Sequence, residues 1–347
     1  MKKKGVTAML HSLNAGYHTS SILRTLKREQ IKLNTLKRQR IMQNGKFDKR
    51  RRYFLIIDDT AVRRYGRSVY GSGYNHSGNA GKVIWSNCLV TFQLREKRAL
   101  DNDFRLYLPR KYVQKHPSEV FKKKTQLAVE ILEEKLRFYG WRMHENMITL
   151  LADASYAVER VLSFAREKRI SYVGRLKKDR HVRLFSKWVR VEEYFRRYKK
   201  ERYFTCEGKR VFYKEAVLHV KELGRLKVFR FREEESEPRY YVTNKLKMTA
   251  KTCYEYKKLR WKIEEMHREL KQYLGLENTC AWKKESLIAH YRFVFLLWWL
   301  FEKFRAEQRL KVSFEALWWE YCADVERTKW QRAALEKPPP VTAFSYV

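Results

Sequence analysis

Two short apolar runs constrain this chain more than anything else in it. Tyr53-Phe54-Leu55-Ile56-Ile57 is continuous and ends in Asp58-Asp59-Thr60, and the run from Met147 to Ala152 ends in Asp153. Runs so brief and so uniformly apolar suit strands buried on both faces, in the middle of a helix-covered sheet, with an acid at each strand end. Further strands are expected at Lys82–Leu94, at Arg105–Leu108 before Pro109, and at Ile170–Val173. Leu127, Ile131, Leu132, Leu136 and Phe138 recur at helical spacing up to Gly140, and Val158, Val161, Leu162 and Ala165 mark a second helix. The order β β β α β α β predicts an α/β fold.

Charge restricts the partner. Lys and Arg number 77 against 39 Asp and Glu, a net +38 over 347 residues. A hydrophobic share of 44% supplies a core, so the chain folds despite that excess, and the excess points to a polyanion, foremost nucleic acid. Five cysteines without a CxxC pair indicate neither a disulfide framework nor a zinc finger and fit a reducing, cytoplasmic location. The longest apolar run, Phe293 to Phe301, has nine residues where a membrane span needs about 20, so it reads as a buried helix and no membrane partner is expected. The Gly- and Ser-rich stretch Gly71–Gly81 lacks the Lys-Ser/Thr ending of a P-loop, so no nucleotide cofactor is expected either.

The stretch from Tyr254 to Leu274 reads as a helix with an apolar stripe of Leu259, Ile263, Met266, Leu270 and Leu274. A second stripe holds Tyr256, Arg260, Glu264, His267, Arg268 and Lys271, one acid within a basic row. By itself this could be a solvated face with an i,i+4 pair between Arg260 and Glu264. Two strand-end acids and one helix acid can also converge on two divalent cations, Mg²⁺ or in its place Mn²⁺, because such ions prefer hard oxygen ligands. Two ions at one site can activate the attacking oxygen and stabilise the leaving oxygen at phosphorus.

Three motifs then carry a family resemblance: Ile57-Asp58-Asp59-Thr60, Ala152-Asp153-Ala154-Ser155-Tyr156, and Arg260-Trp261-Lys262-Ile263-Glu264 continuing to Lys271. Together they resemble the DDE transposases of bacterial insertion sequences, whose catalytic domain is ribonuclease H-like. The resemblance implies a metal-binding, catalytic triad of Asp58, Asp153 and Glu264, with Asp59 the rival for the first place and Thr60 ordering the turn. It implies that Tyr256, Arg260 and Lys271 grip DNA phosphates. Three residues separate Tyr256 from Arg260 where the family pattern has two, which helical geometry accommodates on one face.

The same resemblance divides the chain into a basic helical DNA-binding region at 1–52, the first part of the catalytic core at 53–176, a β-rich insertion at 177–247, a helical completion of the core at 248–305, and a helical region and tail at 306–347. The implied activity is cleavage at transposon ends and joining of the 3′ hydroxyl to target DNA, by a homodimer or larger assembly on double-stranded DNA. An inactive, DNA-binding descendant and a structure-specific metal-dependent nuclease are the alternatives. Of the tryptophans, Trp298 and Trp299 read as core and Trp282 as a base-stacking candidate; His267 reads as solvated or hydrogen-bonded.

Overall fold

The apolar run at Tyr53 does form a central strand: all five side chains are buried, and strands on both sides satisfy its backbone groups. The computed structural model describes residues 28, 35–43, 47–77, 81–197, 200–234 and 236–336. Most of the basic N-terminal region and the Pro338–Pro340 tail therefore lie outside the described residues. The chain forms two compact units, Arg38–His267, and the described residues of Met1–Lys37 with Arg268–Val347.

The larger unit is built on one mixed sheet. Its first strands are β1 (Tyr53–Arg63), β2 (Gly73–Ser77), β3 (Lys82–Arg95), β4 (Ala99–Tyr107), β5 (Ile148–Ala152) and β6 (Ser171–Leu176). β3 runs antiparallel to β1, β4 runs antiparallel to β3, and β5 and β6 add in parallel on the other side of β1. The resulting order β4-β3-β1-β5-β6 is the ribonuclease H-like arrangement. Helices α2 (Arg110–Gln114), α3 (Lys124–Tyr139) and α4 (Glu159–Glu167) fill the connections; a helix at 35–43, α1, precedes them.

The sheet then continues through β7 (His181–Leu184), β8 (Lys187–Arg190), β9 (Arg202–Cys206), β10 (Lys209–Val220), β11 (Gly224–Glu233) and β12 (Arg239–Thr243), with α5 (Val191–Arg197) between β8 and β9. β12 pairs antiparallel with β6, so residues 177–247 extend the same sheet.

Several local expectations need correction. β1 does not stop at Asp58: it runs to Arg63, because β3 pairs with it from Phe54 to Arg63 while β5 accompanies it only to Ile57. Thr60 accordingly sits in a strand, opposite Leu89, and orders no turn. The Gly71–Gly81 stretch, whose Gly and Ser content suggests a loop, contains β2, paired to the start of β3. β4 begins at Ala99, earlier than its sequence suggests, because the polar Asp101 is buried against Lys135 Nζ (2.8 Å) and the Tyr139 hydroxyl (3.1 Å) of α3.

The helical stretch from Tyr254 is two helices, α6 (Ala250–Gln272) and α7 (Lys284–Glu307). Gly275 stops α6 in a left-handed conformation (φ 70°), with Leu276 N–H donating to Leu270 O at 2.9 Å. In the smaller unit α7 is followed by α8 (Phe314–Glu336); Phe301 packs on Phe314 and Trp318, Trp298 and Trp299 are buried, and the Trp298 indole donates to Glu269 Oε2 at 2.7 Å. No described helix is long and apolar enough to cross a membrane.

Candidate active site

The parallel register brings the strand-end acids together. Ile57 lies opposite Ala152, so the next residues, Asp58 and Asp153, fall side by side where β5 ends and β1 runs on. Strand alternation then separates Asp58 from Asp59. Phe54 and Asp58 share the face covered by α6, where Phe54 meets the Tyr256 ring edge-on at 4.9 Å and Arg260 Nη1 donates to Asp58 Oδ2 at 3.1 Å. Arg260 Nη2 also pairs with Glu264 Oε1, so one guanidinium joins a strand carboxylate to a helix carboxylate. The part of the polar stripe from Tyr256 to His267 is therefore laid along the sheet.

Asp59 points the other way. It receives Lys124 Nζ at 2.7 Å, the Tyr156 hydroxyl at 3.1 Å and the Cys88 thiol at 3.5 Å. Burial and the neighbouring Asp59 push the Cys88 thiol up to about 12, so it stays protonated and unreactive near neutrality.

On the α6 side, Thr91 faces Asp58 across the β1–β3 pair. Its hydroxyl donates to Asp58 O at 3.1 Å and lies 2.7 Å from His267 Nε2. With the hydroxyl proton committed to Asp58 O, Nε2–H is the donor, and the buried His267 braces the strand beneath the acid.

Burial raises the Asp58 carboxyl from its ordinary range; Arg260 lowers it, while Asp59 and Asp153 raise it further, and the balance is a group pushed up to about 7. Among the described residues no three Asp, Glu, His or Cys side chains form a ready metal cluster. The donor chemistry nonetheless fits a divalent cation. Asp58 and Asp153 are hard oxygen donors whose like charge helps to raise Asp58, and Arg260 is the cation already drawn to Asp58, Asp153 and Glu264.

The other sequence-derived residues are placed as follows. Tyr256 is buried, and its hydroxyl accepts from Arg52 Nη1 at 3.0 Å. Lys271 stands in the last turn of α6, in the smaller unit, whereas Asp58, Asp153 and Glu264 belong to the larger one. Trp282 and Trp261 are exposed. Sequence reasoning missed Thr91, Lys124 and Arg52: nothing in the Lys122-Lys123-Lys124 run singles out the lysine that meets Asp59, because that meeting is made across the sheet.

No curated protein matches the chain. A family model described as DDE superfamily endonuclease matches residues 1–204, more than half of the chain, and takes in both Asp58 and Asp153. Adjacent acids on a ribonuclease H-like sheet, Asp58 within β1 and Asp153 at the end of β5, both within the matched span, agree with that match, and the chain belongs to the DDE superfamily endonucleases.

Proposed function

We propose that this chain is a DNA transposase, cutting phosphodiester bonds at the ends of its element and joining the freed 3′ hydroxyl to target DNA. The observation that carries the reading is the meeting of Asp58, beside Asp153, with Glu264 through Arg260. Asp58, Asp153 and Glu264 would hold divalent metal, Mg²⁺ with Mn²⁺ as substitute, which when bound activates the attacking oxygen and stabilises the leaving oxygen. Arg260 keeps the two carboxylates it touches from repelling each other and supplies positive charge beside the phosphate. Thr91 and His267 keep the strand under Asp58 rigid. Arg260, Tyr256 with its neighbour Arg52, and Lys271 serve the DNA backbone, and the basic residues of 1–52 serve end recognition, with two chains or more needed to hold two ends.

The test is Mg²⁺- and Mn²⁺-dependent cleavage and joining on DNA carrying the element ends, with wild type, Asp153→Asn and Glu264→Gln compared. Both variants are expected to lose cleavage and joining by about a thousandfold or more while keeping fold and DNA binding. Cleavage that survives both substitutions overturns the site; cleavage without joining makes the protein a nuclease; binding without either reaction makes it a DNA-binding descendant.

A further inference from the structure

The Asp59 side of β1 leads to a cavity of about 620 Å³. It is walled by Arg110 of α2, Lys123 and Lys124 at the start of α3, Arg160 of α4, and Ser155-Tyr156 in the turn after Asp153. No acidic residue lines it. Lys124 is neutralised by Asp59, but Arg110, Lys123 and Arg160 pair with no carboxylate among the described residues, and Arg110 lies over the Phe121 ring at 5.0 Å. A second cavity, of about 710 Å³, differs in kind: Glu133 and Glu145 stand there with Lys49, Arg137 and Lys168.

Three exposed cations without a carboxylate around one hollow give it a positive field that favours an anion. The hollow is tied to the acids by its floor. Tyr156 and Lys124 both hold Asp59, the chain neighbour of Asp58, and Ser155 follows Asp153 by two residues. Its volume is within the ~300–1,000 Å³ of small-ligand sites. A space of that size suits a small ligand or a short length of single strand rather than a whole duplex.

We propose that this cavity is a phosphodiester subsite for single-stranded DNA, taking an unpaired strand that leads away from the acids. The proposal rests on the DNA-processing function above. It is tested with the full chain by fluorescence anisotropy, without divalent metal, on a blunt duplex and on the same duplex bearing a short unpaired overhang. Wild type is expected to bind the overhang duplex more tightly. Arg160→Glu combined with Lys123→Glu is expected to weaken overhang binding about tenfold and blunt binding less than about twofold, and to reduce the overhang's salt slope by about 1.4 for two lost single-strand contacts. Ser155→Trp, which fills the hollow without changing its charge, is expected to show the same selectivity, with thermal melting confirming that each variant folds.

Equal losses on both substrates, or no loss on either, overturn the subsite. If wild type binds duplex DNA here and cuts it once Mg²⁺ is supplied, but the variants keep the overhang preference, only the subsite fails. If wild type binds neither DNA, the DNA-processing function fails with it.

Discussion

At the scale of single residues, Asp58 shows most clearly how position sets chemistry. Asp58 and Asp59 are identical side chains one bond apart, yet one meets Arg260 and the other Lys124, Tyr156 and Cys88. Asp58 titrates near 7, above its ordinary 3.8, so the unfolded chain ionises first. The metal-free fold therefore loses stability as pH rises from about 3.8 to about 7, and holds steady with respect to this group above that. A cation bound to the ionised carboxylate returns the lost stability. We predict that Mg²⁺ raises the melting temperature more at pH 8, where a hundredfold excess over Kd adds about 2.7 kcal/mol, than at pH 5.5, where the proton competes for the carboxylate. Asp58→Asn should abolish most of that difference in a calorimetric scan. An equal Mg²⁺ effect at both pH values would remove Asp58 from the metal-binding set.

At the scale of elements, β6 shows how a strand with no reacting group supports the site. Gly174 lies opposite Ala152, the residue before Asp153, and the buried Tyr172 ring lies across it. A Cβ at Gly174 would stand 2.0 Å from the Tyr172 hydroxyl oxygen and 2.5 Å from Cζ, far inside any tolerable contact. The ring is fully buried, so its neighbours or the strand itself must shift. Gly174→Ala is predicted to cost about 1–3 kcal/mol in urea unfolding, with cleavage falling too as the end of β5 is displaced. A variant with unchanged midpoint and full activity would show that the ring finds another place.

For the whole molecule, the excess of 38 positive charges sets how it meets DNA. Cations that neutralise phosphates release counterions, so affinity falls steeply with salt. With about six or more phosphate contacts, binding to duplex DNA is predicted to weaken by about a thousandfold or more between 50 and 200 mM salt. A filter-binding or anisotropy titration showing a near-flat salt dependence would mean that the charge serves some other partner. The same excess explains why the acids lie among cations: bare carboxylates would repel the backbone on which they act.

The sequence by itself determined the central strands, the acids that follow their apolar runs and the helix that carries a third, since burial of continuous apolar runs and helical periodicity are local properties. It also pointed to a polyanion, because charge is a sum over residues. Other features came only with the tertiary structure. The extent of β1 beyond Asp58 depended on β3, and the early start of β4 on a buried lysine of α3. That Asp58 rather than Asp59 faces Arg260 and Glu264 depended on which side of the sheet α6 covers, and two adjacent aspartates carry no local signal of that side. The cationic hollow was equally hidden, since Arg110, Lys123 and Arg160 are ordinary charged residues until α2, α3 and α4 bring them around one space. Contacts between residues distant in sequence are made by packing, and packing is a property of the whole fold.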